Sequence, residues 1–212
     1  TGMKVSQVYK DKKDKKVLSF EIFPPKKDSE LNNIDETLAV LCELEPDYIS
    51  VTFGAGGSSN CNRTIELAKK IKHEYHVEPV VHLTSLHYNK AEIDEFAKVL
   101  SEAGLENVLA LRGDKNPNFP EKNDFSHASD LIAYMKEKWD FCFLGACYPE
   151  CHPESGGVIN EIRHLKTKVN AGAEVLLSQL FFDNDIFLRF QEYCRVADIN
   201  VPVTVSYTHL RA

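Results

Sequence analysis

Seven short apolar runs alternate with longer amphipathic stretches, and this alternation constrains the fold more than any other feature of the sequence. Each run is bounded by Gly, Pro or polar residues, and most are rich in Val, Ile, Leu or Phe, as buried strands are. The runs span residues 17–23, 48–53, 79–84, 107–112, 141–148, 175–182 and 201–206. Repeated alternation of strand and helix predicts a parallel sheet with right-handed crossovers.

The stretches between the runs carry apolar residues at the spacing of an amphipathic helix. The first contains Ile34, Leu38 and Leu41, and the last contains Phe187 and Phe190. Two architectures agree with this order of elements, namely a doubly wound open sheet and an eight-stranded barrel. The periodicity alone leaves both of them open.

The alternation of side chains along the strands favours the barrel. In the second strand, Ser50 and Thr52 fall on one face, and the apolar Ile49 and Val51 fall on the other. An open sheet that helices cover on both sides buries apolar residues on both faces. A barrel fills its interior but keeps polar residues at the carboxyl-terminal mouth, where barrel enzymes have their active sites.

The same alternation on the fourth strand places Arg112 and Asp114 on the polar face, and Leu109 and Leu111 on the apolar face. Polar side chains therefore follow the carboxyl ends of successive strands. A (β/α)8 barrel would bring these ends together around one pocket. The side chains predicted to converge are Glu21, Thr52, His82, Asp114, Tyr148 and Gln179.

Glu21 stands inside an otherwise apolar strand, which Pro24 and Pro25 bring to an end. A buried carboxylate is costly because its charged form loses water, so it is usually paired or used in chemistry. The residues alone leave two roles open for Glu21. It is either a catalytic group or half of a buried ion pair with Arg112.

Several segments at the predicted strand ends form a pattern with one order and regular spacing. They are 19–25 (SFEIFPP), 51–58 (VTFGAGGS), 82–84 (HLT), 111–114 (LRGD), 148–154 (YPECHPE) and 178–183 (SQLFFD). Together they closely resemble the methylenetetrahydrofolate reductase family, from about residue 17 to about residue 202. The resemblance implies an α/β fold of the (β/α)8 TIM-barrel type, here truncated after about the seventh strand.

The resemblance implies a flavin-dependent reaction, in which NADH or NADPH reduces FAD and 5,10-methylenetetrahydrofolate is then reduced to 5-methyltetrahydrofolate. This reaction supplies methyl groups for methionine synthesis. Glu21 and Asp114 match the family's catalytic positions, and Glu21 matches the general acid that protonates the folate. Burial against Phe23 and the flavin is expected to raise the pKa of Glu21.

The resemblance also assigns binding roles residue by residue. The FAD-binding positions are Thr52, His82, Arg112, Gly113, Asp114, Ala128, Tyr148, His152, Glu161 and Lys168. The folate-binding positions are Glu21, Asp114 and Gln179. The cations of Arg112 and Lys168 suit a pyrophosphate. The backbone is expected to approach the ligand closely at Gly54, Gly56, Gly57 and Gly113. No metal is expected.

Two other interpretations stay open. A metal-dependent barrel hydrolase or aldolase would use His82, Asp114 and His152, although the first strand lacks the His-x-His pair of many barrel hydrolases. The other is an inactive fragment, because a complete barrel needs about 250 residues and eight strands. This sequence has 212 residues and seven runs, and it departs from the family pattern after Val203.

The sequence predicts three parts: an N-terminal polar segment at 1–16, an incomplete barrel catalytic domain at 17–205 and a tail at 206–212 that we expect to be non-native. The net charge of −7 argues against nonspecific nucleic-acid binding. No apolar run approaches the roughly 20 residues of a membrane helix, and we see no signal-peptide segment. We therefore expect a cytoplasmic protein, and the resemblance implies a homo-oligomer when the barrel is complete.

Overall fold

A computed structural model of the protein describes residues 2–13, 15–24, 31–53, 58–117 and 120–206. Within these residues, seven parallel strands form one sheet whose spatial order is the chain order. The strands are β1 (Ser19–Ile22), β2 (Tyr48–Val51), β3 (Glu78–Thr84), β4 (Asn107–Leu111), β5 (Cys142–Cys147), β6 (Ala173–Ser178) and β7 (Val203–Thr204). The helices are α1 (Val5–Asp11), α2 (Leu31–Cys42), α3 (Ser58–His73), α4 (Lys90–Glu102), α5 (Ala128–Lys136), α6 (Val158–Ala171) and α7 (Asn184–Val196).

Helix α4 shows how the sequence determines where a helix begins and which of its faces is buried. It begins after Asn89, whose side chain accepts a hydrogen bond of 2.9 Å from the backbone N–H of Glu92. The Glu92 carboxylate accepts one of 2.7 Å from the backbone N–H of Asn89, which completes a capping box. Ile93, Ala97 and Leu100 are buried at helical spacing, so the helix lays its apolar face on the sheet.

The sheet curves into a barrel. Tyr48 lies on β2 and Thr204 on β7, and these strands are not neighbours in the sheet. Their side-chain oxygens nevertheless lie 3.2 Å apart, and the Tyr9 hydroxyl contacts both of them. In a flat sheet, two strands separated by four others would lie more than about 20 Å apart. The described strands and helices therefore form an incomplete (β/α)8 barrel, as predicted.

The barrel wall has an interior face and a helix-covered face. Val80, Leu109 and Val175 pack in the interior cluster, whereas Val81 and Val108 pack with the helices. The sequence-based assignment of β4 is wrong on this point, because Leu109 faces the interior and Leu111 packs against the same cluster.

The residues that follow β4 explain the error. Arg112 and Asp114 come after the strand has ended at Leu111, and Gly113 between them has φ of 88°. The two-residue alternation holds only within an extended strand, so it does not predict where these two side chains point. They reach the carboxyl-terminal mouth of the barrel through a turn.

Residues 1–16 are more than the polar segment that the sequence predicts. They include α1, and Val5 and Val8 are buried. Val5 packs in the interior cluster with Tyr48 and Leu109. The lysine-rich stretch that follows makes the segment as a whole polar, so this short apolar face is not apparent from the sequence. Helix α1 covers the amino-terminal end of the barrel.

Asn107, the first residue of β4, fastens α1 to the barrel. Its side-chain oxygen accepts a hydrogen bond of 2.7 Å from the backbone N–H of Val5. Its amide group donates to the carbonyl oxygens of Met3 at 3.1 Å and Pro79 at 3.4 Å. The side chain of Lys4 makes no cap hydrogen bond, so Asn107 satisfies a backbone donor at the start of α1.

We expect Asn107→Ala to lower the free energy of unfolding by about 2–4 kcal/mol, because it leaves several buried backbone groups without partners. Chemical denaturation of the purified protein measures this change. The matched control is Asn170→Ala, since Asn170 is exposed on α6. Equal stability of the two variants would contradict the fastening role.

Candidate functional site

A cleft of about 1560 Å³ opens at the carboxyl-terminal ends of the strands. The positions with a predicted catalytic, FAD-binding or folate-binding side chain or backbone all line it: Glu21, Thr52, His82, Arg112, Gly113, Asp114, Ala128, Tyr148, His152, Glu161, Lys168 and Gln179. Of the glycines expected to approach a ligand, Gly54, Gly56 and Gly57 lie outside the described residues. The structure thus brings the predicted site residues together from strands and helices distant in sequence.

Glu21 and His82 face each other at the floor of this cleft. Oε2 of Glu21 lies 3.6 Å from Nε2 of His82. His82 is 6% exposed, and its Nε2 has no hydrogen-bond partner within the described part of the chain. Burial lowers the pKa of His82 to about 4, so the imidazole is neutral near pH 7.

Glu21 is less buried than the sequence predicts. Its side chain is 42% exposed, and Phe23, which was expected to cover it, is itself 59% exposed. The physical reason is its position near the end of β1, a strand at the edge of the described sheet, where the side chain faces an open cleft. Desolvation of the carboxyl group therefore requires a ligand in the cleft.

Arg112 pairs with Glu154 and not with Glu21. Its two terminal nitrogens contact the two carboxylate oxygens of Glu154, one of them at 3.2 Å. This hydrogen-bonded pair raises the pKa of Arg112 and lowers the pKa of Glu154. The carboxylate is largely exposed, so the pair orients the guanidinium more than it stabilises the fold. Sequence reasoning missed the role of Glu154.

The turn at Gly113 sets the position of Asp114. A Cβ atom at Gly113 would lie 3.0 Å from Cβ of Thr84, and φ is 88°, so both space and backbone favour glycine. The carbonyl oxygen of Asp114 lies 3.0 Å from Nε2 of His87, and the opposite ring nitrogen lies 3.3 Å from the carbonyl oxygen of Pro120. The Asp114 side chain is exposed in the cleft.

Tyr148 and His152 flank the loop after β5. Their rings meet edge to face with centroids 4.8 Å apart, and burial raises the pKa of Tyr148. The backbone N–H of His152 donates to Oε2 of Glu161 at 3.1 Å. Glu161 lies on α6 and is 5% exposed, so this hydrogen bond anchors the loop to a buried carboxylate on the helix.

The remaining predicted positions lie around the rim and wall of the cleft. Ala128 is the first residue of α5 and is buried. Gln179 follows β6, and its backbone N–H donates to the carbonyl oxygen of Cys147 at 2.7 Å while its side chain is exposed. Lys168 on α6 donates from Nζ to the carbonyl oxygen of Ala146, and burial lowers its pKa.

The alternative metal site finds no ligand set in the described ranges. There, no group of three or more His, Cys, Asp or Glu side chains lies close enough to hold a metal ion. Among the same residues, no helix has the length and apolar character needed to cross a membrane.

The family model of methylenetetrahydrofolate reductase matches residues 4–206. The chain belongs to the methylenetetrahydrofolate reductase family. Methylenetetrahydrofolate reductase (NADH) 1 of Arabidopsis thaliana is 36% identical over 201 residues, which are 87% of this chain and 34% of that protein. The 5,10-methylenetetrahydrofolate reductase of Escherichia coli is 36% identical over 186 residues, which are 88% of this chain and 62% of that protein. The chain therefore spans only part of the length of its relatives.

Solved structures agree with the barrel. A Clostridium thermocellum protein, described as binding two copies of 5-methyl-5,6,7,8-tetrahydrofolic acid, has a TM-score of 0.62 at 14% identity and covers 94% of this chain and 68% of its own. A 2,3-dimethylmalate lyase has a TM-score of 0.66 at 9% identity and covers 99% of this chain and 74% of its own. At these identities, the likeness to methylenetetrahydrofolate reductase rests on the sequence comparisons, and the structures support the fold.

Proposed function

We propose that this chain forms the catalytic barrel of a flavin-dependent reductase that converts 5,10-methylenetetrahydrofolate to 5-methyltetrahydrofolate with NADH or NADPH as the reductant. The observation that carries this proposal is the convergence of the assigned residues on one cleft. They were assigned from the sequence alone, and they lie on or next to strands β1 to β6 and on helices α5 and α6.

FAD fits the chemistry of the cleft. His82 offers a buried ring nitrogen without a hydrogen-bond partner in the described residues, which suits a polar ligand atom. Arg112 and Lys168 supply cations for a pyrophosphate, and α5 presents its amino-terminal end at Ala128. When bound, FAD supplies the hydride chemistry that amino-acid side chains lack. Thr52, Gly113, Tyr148, His152 and Glu161 complete the proposed cofactor site.

Glu21 is the proposed general acid, and Asp114 and Gln179 are proposed to bind the folate beside it. A bound folate and cofactor would remove water from Glu21, and the neutral His82 adds no positive charge that would favour the carboxylate. Both effects favour a protonated Glu21 near neutral pH, as a general acid requires. The structural neighbour that binds 5-methyltetrahydrofolic acid indicates that a barrel of this shape can hold a reduced folate.

The full-length protein is expected to purify with a yellow flavin spectrum that bleaches when NADH or NADPH is added without oxygen. Subsequent addition of 5,10-methylenetetrahydrofolate is expected to restore the colour and yield 5-methyltetrahydrofolate. Absorbance spectroscopy and product chromatography measure both steps. A colourless protein that takes up no FAD, or one that requires a divalent metal for hydrolysis, would contradict the proposal in favour of the hydrolase alternative.

The wider setting follows from the same proposal. We infer a role in supplying methyl groups for methionine synthesis, a cytoplasmic location and a homo-oligomeric full-length protein. The relative from Arabidopsis thaliana carries NADH in its name, so NADH is the first reductant to test. The proposed catalytic domain spans residues 17–205, and the structure describes nothing of residues 207–212.

A further inference from the structure

Lys168 reaches the cleft from the outer side of the barrel wall. Helix α6 packs on the helix-covered face of the sheet, where Leu165 meets Cys147 and Leu176. Lys168 nevertheless donates from Nζ to the carbonyl oxygen of Ala146 on β5, and the same side chain lines the cleft. Its aliphatic stem must therefore cross strand β5.

Gly145 is the point where the stem crosses. A Cβ atom built on Gly145 would lie 2.6 Å from Cδ and 3.2 Å from Cγ of Lys168. It would also lie 3.5 Å from Cβ of Ala173, so Ala173 bounds the space beside Gly145 that the stem of Lys168 occupies. The first of these distances is far shorter than a carbon–carbon contact allows, so a side chain at 145 and the present course of Lys168 exclude each other.

The backbone does not need glycine at this position. Among the residues that the structure describes, the glycines with positive φ are Gly104, Gly113, Gly156, Gly157 and Gly172, and Gly145 is not one of them. Glycine in the interior of a strand weakens the strand and often marks a close approach by another group. At Gly145, the approaching group is the stem of Lys168, and the missing side chain supplies space.

We propose that Gly145 is a positioning residue, whose missing side chain leaves a groove across the helix-covered face of β5, along which Lys168 reaches the cleft and presents its ammonium group to an anionic ligand. The inference rests on the proposed function, in which that ligand is the pyrophosphate of FAD. Burial of the stem fixes the ammonium in advance, so little side-chain entropy is lost when the anion binds. Burial opposes the charged form of the amine and lowers its pKa, whereas nearby Cys147 and Glu161 favour the charged form.

A double-mutant cycle with Gly145→Ala and Lys168→Ala tests the inference on the full-length protein. FAD affinity is measured by titrating the apoprotein and following flavin fluorescence. Gly145→Ala is expected to weaken FAD binding about tenfold in the native background, the scale of one charged hydrogen bond. In the Lys168→Ala background it is expected to have no further effect, because the atoms that a new Cβ would meet are gone.

A second measurement needs no bound cofactor. Side-chain NMR of 13C-lysine-labelled apoprotein follows the titration of Lys168, assigned by its loss in Lys168→Ala. In the native protein, the pKa of Lys168 is expected below that of an ordinary lysine, since burial lowers it. In Gly145→Ala it is expected to rise toward the ordinary value, because the displaced amine meets water.

The outcomes separate the inference from the function on which it rests. Full FAD binding by Lys168→Ala would overturn the proposed cofactor role of Lys168, while the NMR titration would still decide the positioning role of Gly145. Loss of FAD by Lys168→Ala, with unchanged binding and unchanged titration in Gly145→Ala, would overturn the positioning role alone. Equal weakening, or loss of folding, caused by Gly145→Ala in both backgrounds would likewise overturn it.

Discussion

Replacing Glu21 by Gln is expected to abolish most folate reduction and to leave reduction of the bound flavin by NADH or NADPH intact. The amide has nearly the shape of the carboxylic acid but no proton to give near neutral pH. General acid catalysis contributes about 10²–10⁴-fold to a rate, so the folate half-reaction should slow by roughly that factor. Anaerobic stopped-flow absorbance measures the two half-reactions separately.

The geometry restricts this loss to one half-reaction. Glu21 lies beside Ser50 in the register of β1 and β2, and its carboxyl group faces the buried ring of His82 at 3.6 Å. Arg112 has its partner in Glu154 and not in Glu21. Removing the charge of Glu21 therefore leaves the Arg112–Glu154 pair of the cleft in place.

The matched control is Glu95→Gln, since Glu95 is an exposed carboxylate that lines the same cleft and has no assigned role. It is expected to leave both half-reactions unchanged. Equal slowing of both half-reactions in Glu21→Gln would contradict the acid role and would assign Glu21 to cofactor binding. A shift of the pH profile without a loss of maximum rate would also contradict it.

The order of the elements could be predicted because the strands are short and the central ones, β2 to β6, are mostly buried. In the runs at 48–53 and 107–112, polar residues mark the ends of β2 and β4. Such boundaries can be recognised in a single sequence. The parallel order follows from the helices between them. The alternation on β2 also held, since Ile49 and Val51 pack on the helix-covered face.

The failures have a common physical cause, which is that they depend on where the chain goes after an element ends. Arg112 lies beyond the end of β4, where the alternation no longer applies, and Gly113 then turns the backbone before Asp114. Its partner Glu154 lies 42 residues further along the chain, and only the folded barrel brings the two together. Glu21 is exposed because its strand lies at a sheet edge, a tertiary property that local hydrophobicity does not record.

Gly145 is a position that sequence analysis alone could have identified as unusual. It stands in the middle of the apolar run of β5, where glycine has no side chain to pack and weakens the strand. That cost indicates a close neighbour. The identity of the neighbour, a lysine 23 residues later on α6, required the structure.

Replacing Asp114 by Asn is expected to change the two half-reactions in opposite directions. Beside the larger effects of the Glu154 hydrogen bond on Arg112 and of burial on Tyr148, the charge of Asp114 contributes to raising the pKa of both groups. The same charge opposes the addition of electrons to a cofactor held in the cleft. Its removal should raise the reduction potential of bound FAD, so reduction by the nicotinamide becomes more favourable and transfer to the folate less so.

The expected size is about tenfold in the equilibrium between the two half-reactions, because one unit charge at short range contributes at least about 1.4 kcal/mol near a protein surface. Dye-coupled potentiometry measures the potential, and single-turnover kinetics measure both half-reactions. The control is Glu121→Gln, which removes a charge from the same loop, where Glu121 pairs with Lys115 at 3.2 Å and does not line the cleft.

The sign of the potential change decides between two roles for Asp114. A carboxylate that acts only by hydrogen bonding to the folate would leave the potential unchanged when it becomes an amide, and only the folate affinity would fall. A carboxylate that acts through its charge would shift the potential upward even in the absence of folate. Because Asp114 is fixed through its backbone by His87 and Gly113, the amide should keep the same position, and the shift would report charge alone.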